Sequence, residues 1–157
     1  MGIVLKPAEQ SPAGGELFVA FENTSQSDFV LNLGIMLANG KVMLPTGIRL
    51  SLTASDSATR EFVFSDRRYG AIAGRVDDFV VSLRAGSTYT LRLTLDQFID
   101  PAQGRLALPL AAGNHRILAR FESHPPRTGN LDMQGVALLN FWKGTVQSNV
   151  VEFESRR

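Results

Sequence analysis

The chain has 157 residues, 44% hydrophobic and 20% charged, with sixteen Lys and Arg against fifteen Asp and Glu for a formal charge of +1. That composition suits one globular domain over 1–157 and excludes intrinsic disorder, while interspersed charges of both signs give no field for nucleic acid or an anionic membrane. With no cysteine there is no disulfide, thiolate metal ligand or thiol nucleophile, and no apolar run reaches the roughly 18 residues of a membrane-spanning helix.

Two-residue alternation of apolar and polar positions recurs along the chain and predicts strand after strand. In Glu16 to Asn23, Leu17, Val19 and Phe21 share one face, and Asn23-Thr24-Ser25 supplies turn chemistry. Asp28 to Ala38 puts Phe29, Leu31, Leu33, Ile35 and Leu37 together, and Asn39-Gly40 reads as a two-residue primed hairpin turn returning through Lys41 to Leu44. After Pro45 and Gly47, Ile48, Leu50 and Leu52 alternate with Arg49, Ser51 and Thr53. Arg60 to Phe64 is a shorter strand, followed by the loop holding Arg67, Arg68 and Tyr69, and Asp78 to Arg84 is the next strand.

Two segments then share an Ala-Gly turn opening an alternating strand. The first directs Tyr89, Leu91, Leu93 and Leu95 inward; the second directs His115, Ile117, Ala119 and Phe121 inward, with Arg116, Arg120 and Glu122 outward. Pro125-Pro126 and Gly129 forbid a continuous strand beyond Phe121, so residues 123–144 are predicted to be a long loop with one helical turn near Val136 to Asn140. Thr145 to Glu154 is the last strand. About eight or nine strands, with turn signals roughly every 8 to 12 residues, predict an all-β sandwich of two antiparallel sheets with Greek-key connections.

The segments LRAGSTYTLRL, LAAGNHRILARF and WKGTVQSNVVEF, together with FVAFENTS near the start, resemble bacterial immunoglobulin-like domains. The likeness is to the proteinase-inhibitor-like group and to uncharacterised exported sandwich proteins. It implies an immunoglobulin-like sandwich used for binding or structure, with proteinase inhibition one attributed role. At the position where that pattern often carries a tyrosine that hydrogen-bonds back to the backbone, this chain has His115. The cysteine pair and core tryptophan of antibody domains are missing, so no antibody-like role follows.

Nothing in the sequence reads as an active site. The two histidines are His115, on an inward strand position, and His124, in a loop; neither lies in a nucleophile or metal-ligand motif, so no catalytic residue, metal or cofactor is expected. Asp77-Asp78, Asp96 and Asp100 read as solvated turn carboxylates. Asn23-Thr24-Ser25 matches a glycosylation acceptor in form. The partner-binding candidates are Leu139, Phe141 and Trp142, apolar residues in a loop that either fold back to cap one open end of the sandwich or anchor a partner, and Arg67, Arg68 and Tyr69, whose composition suits a binding surface or a solvated turn. The expected function is a non-enzymatic protein-binding or structural module acting through loops or a sheet edge. A proteinase inhibitor, a carbohydrate-binding module and a self-assembling surface component are the alternatives. The start MGIVLKPAEQ lacks the order of a signal peptide, and an exported location after removal of a leader is favoured over the cytoplasm.

Overall fold

The computed structural model describes residues 1–7, 15–54, 58–65, 75–104, 110–123 and 140–155. These hold β1 (Gly2–Pro7), β2 (Glu16–Glu22), β3 (Phe29–Leu37), β4 (Val42–Leu44), β5 (Ile48–Thr53), β6 (Thr59–Phe64), β7 (Asp77–Leu83), β8 (Thr88–Thr94), β9 (Phe98–Ile99), β10 (Gly113–Glu122) and β11 (Thr145–Ser155). One 3-10 turn, Leu95–Gln97, joins β8 to β9. The all-β expectation holds: among the described residues there is no α-helix, and no helix long and apolar enough to cross a membrane.

The eleven strands form three antiparallel hydrogen-bonded sheets, ordered β1-β2-β8, β4-β3-β7 and β11-β10-β5-β6-β9, where two sheets and eight or nine strands were expected. The physical reason for the third sheet lies at a single interruption. Glu22 pairs with Thr88 and, further on, Phe29 pairs with Leu83, so residues 23–28 of one strand lie against 84–87 of its neighbour. Main-chain bonds from Asn23 N to Ser87 O and from Gly86 N to Asn23 O, both 2.9 Å, carry the pairing into the break. The β2–β3 connection thus lies against the β7–β8 turn with two residues more than its neighbour, and the ladder stops on either side of it.

Asn23 fastens that break. Its side chain is 1% exposed; Nδ2 donates to Ser27 O (2.9 Å) and Leu83 O (3.0 Å), and Oδ1 accepts from Ser25 N (3.0 Å) and Ser25 Oγ (2.7 Å). Turn chemistry at Asn23 is therefore correct, but the residue is interior. A second irregularity falls between Asn32 and Gly34 in β3, where Gly34 has φ +152° and an added Cβ would stand 2.2 Å from Leu44 O. Only glycine tolerates that backbone against that neighbour.

The turn after β3 is left-handed at Ala38 and Asn39, as a primed turn requires, with Gly40 N donating to Leu37 O. The connection spans four residues, 38–41, so the expected turn is displaced one residue toward β3. At the other end of β4, Gly47 donates to Leu33 O (2.9 Å) and its carbonyl accepts from Glu122 N (3.0 Å). This corner joins the β3 sheet to β10 and turns the chain into β5.

The inward sets are as the alternation predicts. Ile48, Leu50 and Leu52 of β5 pair with Phe121, Ala119 and Ile117 of β10, and all six are buried. Phe21 of β2 meets Phe121 edge-on, ring centroids 5.1 Å apart, which brings the β2 and β10 sheets face to face. Each such fully buried side chain stabilises the fold by roughly 1.5–3 kcal/mol. β1 runs alongside β11, bringing these two sheets together at one edge as well. In β3, Val30 and Asn32 are buried along with Phe29, Leu31 and Leu33, so both faces of this half-strand are covered.

Candidate functional site

One face of the five-stranded sheet packs on the core, and the strand register orders the side chains of the other. Across the strands, Gln147, Arg120, Arg49 and Val63 stand side by side, because Arg120 pairs with Gln147 and with Arg49, and Arg49 with Val63. The next row is Val150, Leu118, Ser51 and Glu61, and the one after it Glu152, Arg116, Thr53 and Thr59. Alternation explains the choice of residues: these are the outward positions between the buried ones, polar except for Val63, Leu118 and Val150.

Arg49 and Arg120 are like charges at directly opposed positions, an arrangement that destabilises a sheet. Arg120 is half-buried, its Nε is buried without a hydrogen-bond partner, and among the described residues no carboxylate pairs with either guanidinium. Arg116 differs: it forms an ion pair with Glu152 at 3.3 Å. Arg120 also follows a register shift between Leu118 and Arg120, held where Ala119 N donates to Ser148 Oγ at 2.9 Å. Apolar Leu118 and Val150 lie beside the pair, with Val150 45% exposed. A groove of about 510 Å³ opens where β5, β10 and β11 end, lined by Arg116 and Glu152 from the outer face and by His115 and Phe153 from the inner one.

Of the residues singled out in the sequence, Trp142 stacks on Phe121 at 5.9 Å and 25°, packs against the core, and lies against the Gly144 backbone. Phe141 is half-buried in a parallel bridge with Val30, whose amide donates to Asn140 O while Trp142 N donates to Val30 O. The structure thus brings Phe141 and Trp142 to the start of β3. Leu139, Arg67, Arg68 and Tyr69 lie outside the described residues, as do His124 and residues 136–139 of the helical turn expected near Val136 to Asn140, while Asn140 itself is not helical.

His115 is 2% exposed. Since a carbonyl only accepts, its Nε2–H donates to Ala111 O at 2.8 Å, and its ring stacks on Phe153 at 5.5 Å. It thus bonds back to the backbone four residues upstream. Two carboxylates expected in solvated turns are interior: Asp78, 3% exposed, accepts from Asn32 Nδ2, and Asp100, 8% exposed, accepts the amides of Ala102 and Gln103. Burial also pushes the Tyr89 phenol above its ordinary value. Among the described residues no three His, Cys, Asp or Glu side chains gather as metal ligands.

Outward arginines at 49 and 120 were legible in the sequence; their meeting was not, because it depends on β5 pairing with β10. Comparison with protein-family models, curated proteins and solved structures found no match to this chain.

Proposed function

We propose that this chain is a protein-binding module on an immunoglobulin-like sandwich, docking its partner on the outer face of the five-stranded sheet. Reading β2–β3 and β7–β8 as one bent ribbon supports two layers, and the order β11-β10-β5-β6 supports Greek-key crossovers between them. The observation that carries the binding role is Arg49 opposite Arg120, with no carboxylate paired to either among the described residues. Two like charges held opposite each other are costly to the free domain, and an anionic group on a partner offsets that cost. Flanking apolar side chains beside Arg are the composition of a docking surface.

A photo-cross-linking side chain placed at Val150 tests this in a lysate of the source cell, with the same group at exposed Thr90 on the opposite sheet as control. A discrete adduct from position 150 that is absent from position 90 is expected. Equal labelling from both positions, or none from 150, overturns the reading.

A further inference from the structure

Resting on that reading, we infer that the partner presents an extended acidic segment, whose carboxylates sit on Arg49 and Arg120. The argument is one of charge and shape. Two arginines at opposed register positions, with no carboxylate paired to either among the described residues, concentrate positive charge at one end of the face, and Arg forks match carboxylates bidentately. The surroundings are those of a sheet face, with Leu118 and Val150 alongside, so the anion arrives on a chain that also covers apolar surface.

Strand β10 sets the length of that chain. From Arg120 to Asn114 is about 20 Å at roughly 3.3 Å per residue, the length of six or so extended residues. The β11 irregularity that Ser148 holds fixes the backbone from which Arg120 projects, so the site is present before the partner arrives.

The test is fluorescence anisotropy with labelled hexaglutamate on the whole chain, comparing wild type with Arg49→Met, Arg120→Met and Arg92→Met. Arg92 is exposed on the other sheet and paired with Glu16, so its loss changes net charge equally without touching the site. Either site variant is expected to weaken hexaglutamate by about tenfold or more, and Arg92→Met by less than about twofold. Added salt is expected to weaken the wild-type complex. Intrinsic fluorescence of Trp142, the chain's single tryptophan, verifies that each variant is folded.

No binding to wild type, or equal weakening by all three substitutions, overturns the inference. Competition by inorganic phosphate as effective as by free hexaglutamate, at matched ionic strength, overturns it too, because the site is then one for a free oxyanion. The Val150 cross-link separates the two claims: if Arg120→Met abolishes that adduct while hexaglutamate fails to bind, the docking face stands and the acidic segment falls.

Discussion

Substituting Asn23 by alanine removes four hydrogen bonds from a side chain only 1% exposed. Their costs differ. Ser25 and Ser27 are exposed, so their released groups find water, and the net loss there is about 0.5–1 kcal/mol for each residue's contacts. The Leu83 carbonyl is different: its bond to Asn23 is buried, and an acceptor stranded there costs about 1–3 kcal/mol. The sum is roughly 3 kcal/mol, equivalent to about 6–12 °C in Tm for a chain of this size. Chemical denaturation followed by Trp142 fluorescence measures it. Asn23→Asp sharpens the test by keeping Oδ1 while aiming a second oxygen at two carbonyls. Burial and the two facing carbonyls outweigh the Ser25 donors to Oδ1 and raise the folded pKa of this carboxylate, so the variant should regain stability on acidification and lose it as pH rises through that value. A loss under about 1 kcal/mol for Asn23→Ala would show that the interruption in the ribbon is held by something other than this side chain.

Gly34→Ala is expected to prevent stable folding, since its Cβ would meet Leu44 O at 2.2 Å, whereas Gly86→Ala, at φ +71° with nothing within 4 Å, should cost only about 1 kcal/mol; equal denaturation midpoints would contradict the steric account. Arg120→Met should stabilise the free domain by about 1 kcal/mol, because it removes a like-charge pair and an unsatisfied buried donor. Destabilisation of that size would instead give Arg120 a structural role. In Tyr69→Phe, leaving Tyr89 as the remaining tyrosine of the two, absorbance titration should place the phenol above about 10, and stability should fall as pH rises beyond about 10, where the unfolded chain ionises first. A midpoint at or below that value refutes the burial argument.

How far the sequence reached follows from which interactions are local. The inward sets of β5, β8 and β10 were legible because alternation is a property of each strand alone, and His115 was legible as interior for the same reason. β1 and β9 escaped: GIVLKP has no clean alternation and Phe98–Ile99 is two residues long, so each becomes a strand only when a neighbour offers its edge. The burial of Asn23, Asp78 and Asp100 escaped because a polar residue in a turn looks the same whether water or a distant carbonyl meets it. The arginine pair belongs to this second class. Each of Arg49 and Arg120 sits on a correctly read polar face, and each alone is an ordinary surface cation. Their conflict exists only in the register of β5 against β10, which the buried pairs Ile48–Phe121 and Leu50–Ala119 fix on the opposite side of the same sheet. The core therefore dictates the clash on the outer face. A slip of one residue would separate the charges only by turning the apolar set out to solvent, so the core pairing of β5 with β10 is what holds the two arginines opposite each other.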